Sequence, residues 1–172
     1  VRIAPDGTAT IFGQDYGPVA STQKDIFIAR YSSTGSHQWT YRRAGPAFDF
    51  VFDLTFDHSS NAYWVGSTFR AGTALLGGCL GKLNPSGQEQ WLWLQPVGSN
   101  AGGWLSRVSL DNAGDVVATG HVEYFPGYQD GLILKATQSG QELFSNIWDG
   151  PHARWDRFFT HAILSDNSIV VS

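Results

Sequence analysis

Short apolar segments separated by polar turns follow one another along the whole chain. The segment VFDLTFD (51–57) alternates apolar and polar residues in part, and after the turn HSSN it is followed by AYWVGST (62–68). Partial alternation with a period of two is typical of a strand with one covered face. The segments IFI (26–28) and LWL (92–94) are apolar on both faces, which is typical of strands covered on both sides. No window has a convincing helical period, so the pattern predicts an all-β protein.

This arrangement returns with a period of about 53 residues. One series of glycines lies in polar turns, and an aromatic residue follows each glycine four positions later: Gly35 with Trp39, Gly87 with Trp91, and Gly140 with Phe144. A second series closes apolar segments at the same period: Gly13, Gly66 and Gly120. Two series with one period indicate a repeat protein, and periods of this size occur in propellers, solenoids and arrays.

Each repeat contains four short strand patterns joined by turns that carry Gly, Asn or Asp, the residues that tight hairpins prefer. Four-stranded antiparallel units of about 40–50 residues are typical of β-propeller blades rather than solenoid turns. We therefore expect an all-β, β-propeller segment of about three and a half blades within a single domain, 1–172. The blades would span residues 1–44, 51–95 and 105–148, and a partial blade would span 158–172.

The first strand of each blade would lie nearest the central axis. Its residues Phe52, Leu54 and Phe56 are expected to wedge between neighbouring blades. The aromatic residues Trp39 and Trp91 recur with the period, so we expect them to pack between blades rather than to form a platform for a sugar.

A longer motif covers residues 25–68: D-x-F-x-A-[KR]-x-x-x-x-G-x-x-x-W, then Asp49, then D-x-x-x-N-x-Y-x-x-G-S-T. This motif resembles the SBBP family of β-propeller repeats. The later units depart from it, for example with Gly103 where Asp49 stands. The resemblance implies a propeller and an exported or surface-associated bacterial protein, so the expected location is extracellular or on the cell surface.

Three and a half blades do not close a ring, and an open ring exposes strand edges and apolar faces. We expect the chain to be a fragment whose remaining blades belong to the same longer protein, because repeat arrays need capping units and none is recognisable. The alternative is a second copy, since twice three and a half gives a common ring size of seven.

Composition limits the classes of partner. The 172 residues have a net charge of −4 with His neutral, and no stretch is basic. Nucleic acid is therefore not an expected partner, because phosphate binding needs clustered Lys and Arg. No apolar run reaches the length of a membrane span. Cys79 is the only cysteine, which excludes a disulfide framework within these residues and a cysteine-based zinc site.

Candidate chemistry is sparse. The segment DNAGD (111–115) has the composition of a calcium loop but lacks the distant bidentate Glu, so a polar hairpin turn is expected. Asp25 and Asp130 recur at the entry to a strand and are expected to accept hydrogen bonds from loop backbone groups. The sequence contains no evident acid–base pair. We therefore expect no catalytic residue and no cofactor.

The five histidines lack metal-ligand spacing, so no metal site is expected. His37 and His58 fall at hairpin turns and should be solvated. His161 takes the place that Leu54 has in the earlier repeat. We expect it to be a hydrogen-bonded core residue rather than a ligand.

The long, unrepeated connections are where ligand contacts are expected, because a rigid scaffold holds them and their sequences vary. These connections cover 14–24, 44–50, 69–77, 96–104, 121–129 and 149–157. Their aromatic, Arg and His residues are the candidate ligand face: Tyr16, Arg70, Trp104, Tyr124, Tyr128, His152, Arg154 and Trp155. For each of these residues, the alternative to a ligand contact is that the side chain packs onto its own blade.

We expect a non-enzymatic scaffold or recognition module that binds a protein or a glycan through this face. One alternative is a propeller enzyme, a hydrolase or lyase, whose site needs further blades, since propellers host many chemistries. Another is a structural spacer in a surface protein, which would have no saturable ligand.

Overall fold

The computed structural model describes residues 1–16, 24–45, 48–69, 75–96, 101–124, 127–151 and 155–172. These ranges contain β-strands joined by turns and no helix, so the prediction of an all-β protein is confirmed. Within them, no helix is present that is long and apolar enough to cross a membrane.

Three four-stranded antiparallel sheets form from strands that are consecutive in sequence, as predicted for the repeat unit. Sheet 1 contains β1 (Arg2–Ile3), β2 (Ala9–Asp15), β3 (Asp25–Tyr31) and β4 (His37–Arg43). Sheet 2 contains β5 (Phe50–Phe56), β6 (Ala62–Phe69), β7 (Leu76–Leu83) and β8 (Glu89–Leu94). Sheet 3 contains β9 (Ala101–Leu110), β10 (Val116–Tyr124), β11 (Tyr128–Ala136) and β12 (Glu142–Trp148). Sheet 4 is a pair, β13 (His161–Ile163) and β14 (Ile169–Val171).

Two apolar cores lie between the sheets. The first junction, between sheets 1 and 2, buries Ile28 from β3 against Leu54 and Trp64 of sheet 2. The second junction, between sheets 2 and 3, buries Tyr63 and Val65 from the other face of β6. Because successive side chains of a strand point to opposite faces, β6 serves both cores at once. This explains why four apolar residues, 62–65, follow one another in β6.

The first strands of successive sheets are linked by Asp53, which is 4 % exposed. Its carboxylate pairs with Arg2 of β1 at 2.6 Å and lies 3.5 Å from the Arg107 guanidinium of β9. It also accepts a hydrogen bond from the backbone N–H of Val108 at 3.2 Å. One side chain of sheet 2 therefore contacts the first strands of sheets 1 and 3.

The outer strands meet through a turn carbonyl. At the first junction Trp39 Nε1 donates to the Pro85 oxygen at 2.8 Å, and Arg30 Nη1 approaches the same oxygen at 3.4 Å. The Trp39 ring covers Gly87, where an added Cβ would lie 2.5 Å from the ring. We call this arrangement, an indole and a cation on the carbonyl of the next sheet's turn, the turn clamp.

The second junction repeats the turn clamp. Trp91 Nε1 and Lys82 Nζ both donate to the Gln138 oxygen, each at 3.0 Å. The Trp91 ring covers Gly140, where an added Cβ would lie 2.7 Å from it. The predicted role of the periodic tryptophans, packing between sheets, is therefore confirmed.

The turn at 111–115 is the polar hairpin turn that its composition predicted. Asp111 Oδ1 accepts hydrogen bonds from the backbone N–H groups of Ala113 and Asp115, both at 2.9 Å. Lys135 Nζ lies 2.6 Å from Asp111 Oδ2. An ammonium group thus already neutralises the carboxylate of this turn.

Two members of the second glycine series, Gly66 and Gly120, are required by a close approach of two strands. In sheet 2, Phe52 is the extra residue of a β-bulge opposite Gly66. A Cβ at Gly66 would lie 1.8 Å from the Phe50 oxygen, a distance that no side chain tolerates. The Phe52 side chain is 41 % exposed. Its ring nevertheless lies 6.1 Å from that of Trp104 in sheet 3, so Phe52 contacts the next sheet from a partly exposed position, whereas Leu54 is buried in the first junction.

We expect Gly66→Ala to lower the free energy of unfolding by about 3 kcal/mol or more, since a methyl group there collides with backbone. Gly13→Ala is the matched control, because an added Cβ at Gly13 meets only the Phe27 ring at 3.7 Å. That variant should leave stability unchanged or raise it by up to about 1 kcal/mol, as Ala for Gly in a strand does. Urea unfolding followed by tryptophan fluorescence measures both. Equal losses in the two variants would contradict the close approach.

Candidate functional site

The predicted ligand-face residues are only partly brought together. Arg70, His152 and Arg154 lie outside the described residues. Tyr16 follows β2 in sheet 1, where the Lys24 ammonium lies 5.7 Å from its ring centre. The remaining candidates belong to sheet 3 or lie beside it: Trp104, Tyr124, Tyr128 and Trp155.

Two of the predicted connections contain strand residues. The segment predicted at 121–129 is strand up to Tyr124 in β10 and again from Tyr128 in β11. The segment predicted at 96–104 becomes strand at Ala101. Sheet 3 is therefore longer than its repeat pattern indicated, and the two tyrosines face each other across the end of a hairpin, where they pair in register.

Trp104 packs rather than standing free. Its ring meets the imidazole of His121 edge-on, with 4.1 Å between ring centres, and the Arg157 guanidinium lies 5.7 Å from its ring. His121 is 1 % exposed. Burial, with a smaller effect from the Arg157 charge, lowers the pKa of His121 to about 4. Trp104 is thus part of the packing of sheet 3 around a neutral histidine.

The other histidines behave as their positions predicted. His37 and His58 are exposed. His161 lies 2.6 Å from Ser109 Oγ through Nε2 and 2.9 Å from Thr119 Oγ1 through Nδ1. It is therefore a hydrogen-bonded residue at the contact of sheets 3 and 4, as predicted.

Tyr124 and Tyr128 flank a groove of about 280 Å³ that is also lined by Asp130 and Asp149. We call it the tyrosine groove. Tyr128 is 50 % exposed and Tyr124 is 36 % exposed, so both rings are accessible. The groove combines two aromatic walls with two carboxylates.

A third carboxylate adjoins the groove. Carboxylate oxygens of Asp130, Asp149 and Asp156 all lie within 4.8 Å of one another. Asp156 is held in place, because its backbone N–H donates to the Gln129 oxygen at 2.7 Å and its Oδ2 accepts from the Gly150 N–H at 3.0 Å. The three acids come from one strand and the segment that follows sheet 3.

The charges in this cluster oppose one another. Burial, with the neighbouring carboxylates of Asp149 and Asp156, raises the pKa of Asp130. Burial, with Asp130 and Asp149, raises the pKa of Tyr124. Asp130 was expected to accept backbone hydrogen bonds, and the structure instead surrounds it with negative charge. A ligand that brings positive charge relieves this repulsion.

Three monodentate carboxylates are fewer oxygens than the six to eight that Ca²⁺ takes in proteins. The acids alone therefore do not define a metal centre. With tyrosine rings beside them, they are suited to a group that both carries positive charge and stacks on an aromatic face.

Trp155 lies at the same end of sheet 3. Its indole donates to the Gly127 oxygen at 2.9 Å, and a parallel bridge joins it to Gln129. The ring is 66 % exposed, and the Arg157 guanidinium lies 5.1 Å from its centre. It is thus a fixed, accessible ring next to the strand that carries Tyr128.

Sequence reasoning missed the acids of the cluster. Asp149 and Asp156 lie in a connection from which only His152, Arg154 and Trp155 were selected. The repeat did contain a signal for one of them, because Asp156 lies two repeats after Asp49 in the sequence. In the structure, Asp49 Oδ1 accepts hydrogen bonds from Thr68 and Phe69. The repeated aspartate of this connection therefore has a structural role, to which the unrepeated Asp149 adds charge.

No protein-family model matches this chain, and no curated protein sequence matches it. Its function is therefore inferred from its own geometry.

We expect Asp130→Asn to stabilise the protein at neutral pH. The raised pKa means that the folded state binds this proton more tightly than the unfolded state. Wild-type stability therefore falls as the pH rises through that pKa, whereas the amide stays neutral. The gain should shrink on acidification, as urea midpoints measured between about pH 3 and 7 would show.

Asp166→Asn is the control of opposite sign. The Ser168 hydroxyl and backbone N–H donate to Asp166 and lower its pKa. The contribution of that carboxylate is present at neutral pH and is lost as the pH falls, so this variant should be less stable than wild type at pH 7. A loss of stability in Asp130→Asn at neutral pH would contradict the repulsion.

Proposed function

We propose that this chain is a β-propeller segment that acts as a non-enzymatic scaffold and recognition module, with the tyrosine groove as its ligand site. The propeller is supported by the succession of similar sheets packed face to face. Asp53 links the first strands of three sheets, and the turn clamp recurs at both junctions of the outer strands. These recurring contacts support an arrangement of the sheets as neighbouring blades of a propeller.

The observation that carries the recognition role is the accessible pair of tyrosines beside crowded carboxylates. By contrast, Trp64 is fully buried, and Trp39 and Trp91 form the turn clamps. Tyr128 is half exposed at the edge of a groove. Exposed aromatic rings on a rigid sheet are suited to act as anchors in an interface.

The charge of the groove selects among the ligands that the sequence left open. A neutral glycan brings no positive charge to the three crowded carboxylates. A Lys or Arg side chain pairs with the carboxylates and also stacks on a tyrosine ring. We therefore infer a protein ligand that presents a basic side chain. The likeness to SBBP repeats supports an extracellular or cell-surface setting for this interaction.

The test compares Tyr128→Ala with Tyr16→Ala. Both residues are exposed tyrosines, 50 % and 55 %, but Tyr16 lies on sheet 1 and does not line the tyrosine groove. Against a panel of peptides that contain Arg or Lys, Tyr128→Ala should weaken binding about tenfold, or about 1.4 kcal/mol. Tyr16→Ala should leave it unchanged. Calorimetric titration measures both.

A panel of neutral oligosaccharides runs in parallel. Binding to oligosaccharides that depends on Tyr128 would overturn the protein ligand and favour a glycan. If neither the peptides nor the oligosaccharides bind saturably, the proposed recognition at this groove is contradicted.

We also propose that the outer face of sheet 3 is covered by further strands of this repeat type, from the same protein or from a second copy. Phe144 occupies the position that Trp39 and Trp91 have in the turn clamps, yet it is 37 % exposed. Trp148 on the same strand is 50 % exposed. Apolar rings in such a row are suited to an interface.

We expect this 172-residue chain to self-associate in solution through that row, giving a mass above the 18.8 kDa of one copy. Phe144→Glu should lower the mass, because it places a charge in the apolar contact. Light scattering after size exclusion measures it. A discrete dimer favours a second copy, and a polydisperse mass favours further repeats in one chain. A monomer at all concentrations would contradict the covered face.

A further inference from the structure

A second groove, separate from the tyrosine groove, opens between sheets 2 and 3. Its volume is about 180 Å³. The walls are mainly apolar, and the lining residues include Trp93, Gln95, Val122, Leu132, Ser145 and Ile147. We call it the junction groove.

The junction groove arises because this junction departs from the repeat. At the equivalent positions of the first junction stand Arg43, Leu92 and Asp49, whose side chains are larger or charged. At the second junction these become the shorter Gln95, the smaller Ser145 and the side-chain-free Gly103. These three side chains are therefore shorter or absent at the second junction.

One polar group in the groove wall has no partner. Gln95 Oε1 accepts the backbone N–H of Gly78 at 2.9 Å. Because that N–H is a donor, the amide oxygen must face it, and the amide nitrogen faces away. Gln95 is 2 % exposed, and its Nε2 has no hydrogen-bond partner among the residues that the structure describes. A buried donor without an acceptor is unfavourable, and a ligand oxygen satisfies it.

The groove wall that contains Trp93 and Ser145 is held in place by hydrogen bonds. Trp93 Nε1 donates to Glu142 Oε2 at 2.9 Å, and Ser145 Oγ donates to Glu142 Oε1 at 2.6 Å. These bonds hold one indole and one hydroxyl to the same carboxylate across the junction. Ile147 is 50 % exposed, so the groove is open to solvent at its outer end.

We propose that the junction groove binds a small apolar group that carries a carbonyl or carboxylate acceptor, with the acceptor received by Gln95 Nε2. The volume is roughly that of apolar cavities known to hold a benzene-sized ligand. The ring or aliphatic part packs on Trp93, Val122 and Leu132. This site is independent of the recognition role of the tyrosine groove and uses none of its residues.

The test uses benzamide, which has a ring and a carbonyl, and toluene, which has the ring alone. In ¹H–¹⁵N NMR spectra of the protein, benzamide should shift the Trp93 indole signal in a saturable manner. Toluene should bind at least fivefold more weakly, because it leaves the Gln95 donor unsatisfied. An unshifted Trp93 signal in folded protein at saturating benzamide overturns the proposal.

Ser145→Leu restores the residue that the first junction has at this position and fills the groove. This variant should lose benzamide binding at least tenfold while keeping its fold. Ser139→Leu is the matched control, because Ser139 is an exposed turn residue of the same sheet, and it should bind as wild type. Unchanged affinity in Ser145→Leu would place the ligand elsewhere and overturn the site.

Discussion

The carbonyl at the turn between the third and fourth strands of a sheet is the contact on which the stacking of sheets depends. At Pro85 and at Gln138 this oxygen accepts hydrogen bonds from an indole and a cation of the preceding sheet. A backbone acceptor is present at every turn whatever the side chain, so the contact recurs although the turn residue changes. It fixes the separation of the outer strands, while Asp53 fixes that of the first strands. The relative orientation of neighbouring sheets follows from these two contacts.

Both candidate sites contain a residue that departs from the repeat. In the tyrosine groove the unrepeated Asp149 lies beside the recurring Asp130, and the junction groove contains Gln95 where the first junction has Arg43. Residues that maintain the stacking cannot vary without loss of a contact, whereas positions outside the turn clamps can carry chemistry. A scaffold of this kind separates stability from ligand choice. The crowding of carboxylates around Asp130 opposes the stability of the fold.

Much of the architecture could be predicted from periodicity. The strand order, the packing of Trp39 and Trp91, and the polar turn at Asp111 each depend on local sequence and on a fixed spacing, so they are visible in one chain. The partial exposure of Phe52 was not predictable, because a bulge interrupts the alternation of faces without changing the pattern of apolar residues. The acid cluster was not predictable either. It joins Asp130 to residues about 20 positions later, and only the three-dimensional path of the segment after β12 brings them together.

The approach of the Phe50 carbonyl to Gly66 also decides how the first hairpin of sheet 2 forms. A slip of one residue would bring Val65 or Ser67 against that oxygen, where neither side chain has room. Alternation of apolar residues alone leaves such slips open in strands covered on both faces, since a shifted β6 would still present apolar groups on each side. Gly66 therefore allows a single strand register, because in a register shifted by one residue a side chain would collide with the Phe50 oxygen. In a chain built of similar units, where strands of one unit resemble those of the next, this selection at Gly66 and Gly120 specifies the register of the first hairpin in sheets 2 and 3.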